Sequence, residues 1–392
     1  VNNPQRSWEL WDLALYDKVV SEPNITLLLD TTLYSAATKD GRITEVMARC
    51  DRSEHLYRVR AKLFCDSTGD SRLALEAGAE MRTGREARSE FGESLAVEKA
   101  DHETLGSSIL FTSRHYDRPM PFTPPSWARK ITKEHLRHRP IRWWEYGYWW
   151  IAWGGDKDPI RDHERIRFEL LSIVMGVWDF VKNSDEYPES ASWAMDWVGF
   201  LPGKRGSRRI VGDYMLNQKD LETGGQFEDA VALGGWPMDD HPPGGFDRSD
   251  LPPYTSIKLP EPYGIPLRSF YSRNVRNLFM AGRNISCTHV AFSSTRVMAT
   301  CAVGGQAAGT AAAYCIEHGV TPRELAQDKK RFKELEQALL RDDQTIRGRR
   351  NEDPRDLARA ARVSASAEHG AGKAALVIDG FVRDIPGATP EV

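Results

Sequence analysis

The stretch that most limits how this chain can fold is NLFMAGRNIS followed by CAVGGQAAGTAAAYCIEHG. NLFMAG has the pattern of a short, fully buried strand, and the second stretch reads as a helix of small residues closed by Gly319. A glycine- and alanine-rich helix has little side-chain relief, so it must lie close against whatever covers it. A strand ending in Ala-Gly brings the next backbone against a flat ligand. The N-terminus of the helix, read around Val303, Gly304, Gly305, Gln306, Ala307, Ala308 and Gly309, carries about half a positive charge and free N–H groups. That suits a ring edge that gains charge on reduction. Tight packing on a sheet explains the same residues without any ligand.

Upstream, the apolar residues Trp8, Leu10, Trp11, Leu13, Leu15 and Val19 fall mostly at helical spacing. ITLLLDTTLYSAAT and RITEVMARC, joined by Lys39-Asp40-Gly41-Arg42, and then HLYRVRAKLFC read as an antiparallel meander. The last strand runs into Asp66-Ser67-Thr68-Gly69-Asp70 and a short helix, RLALEAG. A glycine there lets the backbone approach a ligand, and Ser and Thr hydroxyls can donate to phosphate, although an ordinary strand-to-helix turn is the commoner explanation. Residues 80–262 are aromatic- and proline-rich, with one clear helix, RDHERIRFELLSIVMGVWDFVKN, whose apolar face is Ile166, Leu170, Ile173, Val174 and Val177. This reading divides the chain at 1–79, 80–262, 263–320, 321–355 and 356–392. The fourth segment is a charged helix, RELAQDKKRFKELEQALLRDD, with a polar linker over residues 345–354.

Composition narrows the function. The 53 Lys and Arg nearly balance the 56 Asp and Glu, so no net field recommends a nucleic acid or an anionic membrane. The five cysteines show neither disulfide, zinc nor iron–sulfur spacing. No apolar run reaches the roughly 18 residues of a membrane helix, and VNNPQRSWELWD has no signal-peptide pattern, so localisation is not legible. Small-molecule chemistry is the expectation.

The turn DSTGD, taken together with GREARSEFGES, YWWIAWGG, DWVGFLPGKRGSRRIVGDY, GGWPMDDHPP, PYGIPLRSFYSRNVRNLFMAGRNIS and THVAFSSTRVMATCAVGGQAAGTAAA, resembles the FAD-dependent oxidoreductase family found beside carbohydrate-processing enzymes. The likeness runs over residues 8–319. It implies an α/β fold, α+β in places: the remainder of a glutathione-reductase-like FAD-binding fold, built on two dinucleotide folds, with the β-meander and an inserted aromatic-rich substrate domain. It further implies FAD as cofactor. Thr68, Gly69 and Asp70 would lie by its ADP and pyrophosphate, Gly282, Arg283 and Asn284 by the ribityl chain, and Gly304, Gly305, Gln306 and Ala307 by the isoalloxazine. Arg283 stands where many related flavoproteins have an acidic residue, so Asn284 or Ser286 takes over the ribityl hydrogen bonds. No G-x-G-x-x-G occurs anywhere in the chain. A preceding βαβ unit of roughly 30 residues is therefore expected upstream, and the chain alone is expected to bind FAD poorly and to be inactive.

For chemistry, His289 is read in the loop before the small-residue helix, where a base can take the proton of a substrate hydroxyl as hydride passes to flavin N5. A histidine fixing that loop is the bland alternative. Arg296 either binds a substrate oxygen or offsets reduced-flavin charge, unless it is a structural ion pair. Arg208, Arg209, Trp236 and His241, read in polar loops, are candidate pocket residues. Ten of the twelve tryptophans lie in the middle region, and Trp143, Trp144, Trp149, Trp150 and Trp153 offer flat faces for sugar rings, core packing being the usual use. The expected activity is a dehydrogenase oxidising a hydroxyl of a carbohydrate-like small molecule, with an unidentified electron acceptor. A non-catalytic carbohydrate-binding or scaffolding protein on a degenerate flavoprotein fold is the rival. The tail DLARAARVSASAEHGAGKAALVIDG resembles the opening of a galactose-binding, discoidin-type β-sandwich, with an alternating strand before Val377-Ile378-Asp379-Gly380.

Overall fold

A computed structural model describes residues 7–370, 372–381 and 383. The two alternating segments near the start pair as expected. Strands Thr31–Lys39 and Arg42–Cys50 run antiparallel with Lys39 opposite Arg42, across a turn whose Asp40 and Gly41 both have positive φ (51° and 69°). Strand Leu56–Val59 adds to the far side of Arg42–Cys50 and completes the meander.

HLYRVRAKLFC is not one strand. Leu56–Val59 stays in the meander, whereas Phe64–Asp66 leaves it and pairs parallel with Leu278–Met280. The buried Asn277 fixes this departure. Its side chain accepts from the Ile43 N–H (2.8 Å) and donates to the carbonyls of Ile43 (2.9 Å) and Lys62 (3.2 Å), so one amide ties the meander to the parallel pair.

The first core packs around that pair. It includes Phe64, Phe270, Leu278, Phe279 and Met280, and it receives Ala307 and Ala311 from the small-residue helix Met298–His318. That helix ends as expected, at Gly319 with φ 67°. Its beginning differs. The helix starts at Met298, after Val297 in an extended conformation, so Gly304, Gly305, Gln306 and Ala307 sit inside it rather than at its N-terminus. Gly304 is there for contact, since a Cβ on it would lie 2.7 Å from the Phe270 ring.

The second core lies in the aromatic region, and its buried members fall between Ile109 and Phe246. Its spine is helix His163–Asn183, whose expected apolar face is at most 1% exposed at each of Ile166, Leu170, Ile173, Val174 and Val177. The charged helix is two helices, Pro322–Gln327 and Lys329–Arg341. Asp328 is extended between them, and its carboxylate caps the second by accepting from the N–H groups of Lys330 and Arg331. In the tail, the strand expected before Val377-Ile378-Asp379-Gly380 is instead a single helical turn, Ala374–Ile378. Part of the sandwich-like segment, residues 371, 382 and 384–392, lies outside the described residues. No helix among the described residues is long and apolar enough to cross a membrane.

Candidate functional site

The parallel strands Phe64–Asp66 and Leu278–Met280 end side by side, and the chain leaving each of them forms one wall of the site. At the first wall the buried Asp66 carboxylate organises the turn. One oxygen accepts from the Thr68 N–H (3.0 Å) and hydroxyl (2.7 Å), and the other caps the following helix through the Ala74 N–H (2.8 Å). Asn284, on the second wall, donates to the Asp66 carbonyl and carboxylate and locks the two loops together.

Gly69 has φ +73°, and the Arg283 guanidinium lies over it, 2.6 Å from where a Cβ would stand. Asp70 accepts from Lys204 Nζ (2.7 Å), Ser207 Oγ (2.7 Å) and Arg283 Nη2 (3.2 Å), while its carbonyl accepts from Arg208 Nε (2.8 Å). Burial works against its ionisation, but the Lys204 and Ser207 hydrogen bonds, with the Lys204 and Arg283 charges, outweigh it and hold the carboxyl below its usual range. The side chains of Thr68 and Asp70 thus hold the turn, and Arg208 belongs to a strand, Arg208–Ile210, rather than to a polar loop. Gly282, at φ +92°, has open space where a Cβ would stand except for Asn284 Oδ1 at 3.7 Å. Three buried atoms here have no hydrogen-bond partner among the described residues: Arg283 Nε, Asn284 Oδ1 and Ser286 Oγ.

His289 opens helix His289–Thr295 instead of lying in a loop, with Thr288 as the N-cap. Its ring Nε2 is 3.4 Å from Asp240 Oδ1, and its backbone N–H donates to Glu86 (2.7 Å). Asp240 is held below its usual range: burial opposes ionisation, but the His289 hydrogen bond and charge prevail. The other Glu86 oxygen accepts from Arg209 (2.9 Å), and both side chains are 3% exposed. Arg209 is accordingly an internal ion pair rather than a loop residue. His289, Asp240 and Glu86 line a cavity of about 240 Å³ with Arg85, Glu93, Met238 and Ser293. Burial pushes the Glu93 carboxyl up, against hydrogen bonds from Thr288 and the Gln218 N–H.

Strand Met238–Asp240 carries neighbouring carboxylates to three partners. Asp240 meets His289, while Asp239 accepts from Arg296 Nη2 (3.0 Å) and pairs with His241 Nε2 (3.2 Å). His289, Arg296 and His241 are thus brought to a single strand. Cys301 joins this group to the second wall. It donates to the Arg296 carbonyl (3.4 Å) and has the Arg283 and Arg296 charges nearby, while burial raises its thiol. Trp153 is elsewhere, packed in the second core with its indole N–H on Asp247 (2.6 Å). Trp236 is half exposed, and its carbonyl accepts from Ser294. Gln306 donates to the Asp342 carbonyl on the outer side of its helix.

Sequence reasoning missed Glu86, Glu93, Arg205, Asp239 and Asp240. GREARSEFGES, GKRGSRR and PMDDH contain all five, but which carboxylate meets which cation is contact information that one chain of letters does not carry. The model of the FAD dependent oxidoreductase family matches residues 10–339, well over half of the chain. None of the curated proteins searched matches it.

Proposed function

The chain belongs to the FAD dependent oxidoreductase family, and from that premise we propose that it is a dehydrogenase that oxidises a hydroxyl of a carbohydrate-like substrate, with FAD accepting the hydride at N5. The observation that carries this reading is the His289–Asp240 pair beside a cavity of about 240 Å³. A base must reach the hydroxyl proton and be stabilised once charged. His289 takes that proton, and the Asp240 carboxylate, 3.4 Å from its Nε2, steadies the imidazolium.

The residues at the ends of the parallel strands fit the cofactor. Gly69 and Gly282 allow close backbone approach, the uncommitted Arg283 Nε can donate to a phosphate oxygen, Asn284 Oδ1 can accept from a ribityl hydroxyl, and Ser286 Oγ can do either. For the ring edge the better candidate is the start of helix Met298–His318, which has no side-chain cap, rather than Gly304 to Ala307. A glutathione-reductase-like plan agrees with the parallel pair and the attached meander. The sugar-like class is supported by an aromatic groove of about 510 Å³ lined by Trp143, Tyr146, Trp149 and Tyr254, each more than a third exposed. That groove alone would equally serve the rival, a carbohydrate-binding protein without turnover.

Two measurements test the reading. The purified full-length protein should take up FAD and be yellow; a colourless full-length preparation that refuses added FAD sinks it. His289→Ala should slow flavin reduction by substrate about 10²–10⁴-fold, and a near-normal rate would remove His289 from the chemistry.

A further inference from the structure

On the Asp239 side of strand Met238–Asp240, positive charge exceeds its neutralisation. Arg205, Arg296 and His241 gather around one carboxylate, Asp239. Arg296 Nη2 donates to the Asp239 carbonyl (3.1 Å) and carboxylate (3.0 Å), and His241 shares the same oxygen. Arg205 donates to the carbonyls of Gly106 and Trp149, which are neutral acceptors. Two guanidinium groups, both largely buried, therefore share Asp239, since Asp240, whose charge also reaches Arg296, is already paired with His289. Two further buried atoms, Arg296 Nε and His241 Nδ1, have no hydrogen-bond partner among the described residues, and the His241 side chain is only 3% exposed. Burial, with Arg296 nearby, draws Arg205 down to about 9, and burial holds Arg296 and His241 below their ordinary values. A largely buried guanidinium with no carboxylate of its own, as at Arg205, is costly, and a second anion would relieve it.

We propose that Arg205 and Arg296 form a binding site for a carboxylate on the substrate, so that the hydroxyl compound oxidised at His289 is an acid, such as a sugar acid, rather than a neutral polyol. His241 completes the site, and the Trp149 ring, edge-on to it at 5.6 Å, connects it with the aromatic groove. This rests on the oxidoreductase reading and deepens it by naming a substrate class. The same charge would also suit the anionic ring edge of a reduced flavin, so the test must separate the two sources.

D-Gluconate and D-glucitol, the same polyol with and without a carboxylate, serve as probes at matched ionic strength. Binding to the FAD-loaded protein is followed through the oxidised flavin spectrum. We expect gluconate to bind at least about tenfold more tightly, and Arg205→Gln and Arg296→Gln each to collapse that preference. Equal binding of the two probes by the wild type overturns the proposal whether or not the variants fold, and so does a preference that survives both substitutions. Variants that shift the flavin potential while keeping the preference would assign the charge to the flavin, which also overturns it. If no FAD is taken up, thermal denaturation with the same probes still decides: preferential stabilisation by gluconate that is lost in Arg205→Gln upholds the anion site even as the oxidoreductase reading fails. Flavin reduction without any carboxylate preference has the opposite meaning.

Discussion

Gly69 bends the chain at φ +73° beneath the guanidinium of Arg283, a conformation that residues with a Cβ rarely adopt. The atoms a new methyl would strike are the far end of a flexible side chain, so Arg283 can swing aside. Gly69→Ala should therefore cost only about 1 kcal/mol of stability in urea unfolding, while weakening FAD binding by dislodging Arg283; unchanged FAD affinity would place the cofactor elsewhere. Asp70 next door makes a prediction in pH. Its folded-state carboxyl lies below the ordinary 3.8, so its contribution is fully present above that value and is lost as pH falls through the depressed one. Asp70→Asn should remove roughly 1–3 kcal/mol at neutral pH and flatten the acid limb of the stability profile below about pH 4. A variant that keeps the wild-type acid slope would show that other carboxylates govern it. That the turn mattered was legible from Ser, Thr and Gly after a strand. That Asp70 would be the clamp was not, because Lys204, Ser207 and Arg283 reach it from two distant segments.

Among the elements, those with a strong local period were readable and those set by remote partners were not. The meander follows from alternation and a two-residue turn, and helix His163–Asn183 from its apolar stripe. The break between Leu56–Val59 and Phe64–Asp66 has no local mark, since the parallel partner Leu278–Met280 and the bridging Asn277 arrive from far downstream. The start of helix Met298–His318 was misread for a related reason: glycines at 304 and 305 look like punctuation, yet Gly304 answers to the Phe270 ring. Asn277 makes the point testable. Asn277→Ala leaves the buried N–H and C=O of Ile43 without their partner and should cost about 3 kcal/mol. Hydrogen exchange should then rise first at Ile43 and its neighbours, and uniform destabilisation without that local signature would contradict the bridging role.

At the scale of the whole molecule, two cores meet at the site. The first holds the parallel pair and its loops; the second holds the aromatic region, which presents the Trp149 carbonyl to Arg205. Sequence reading named residues on both sides, including Arg283, His289, Arg296 and His241. It could not show that strand Met238–Asp240 gathers three of them, because that strand is only three residues long and carries no periodic signal. The division of labour between the cores is open to experiment. Trp178, 1% exposed and edge-on to Phe111 at 5.5 Å, fills the second core. Trp178→Ala should cost about 3–5 kcal/mol, and the loss should fall on the aromatic region first. Since Trp149 adjoins Tyr148 and Trp150, which stack at 4.6 Å within that core, loosening it should let Arg205 drift. KM should then rise severalfold while FAD occupancy under native conditions is unchanged. If flavin is released in parallel with the loss of substrate binding, the two cores act as one cooperative unit, and the aromatic region has no separate part in holding substrate.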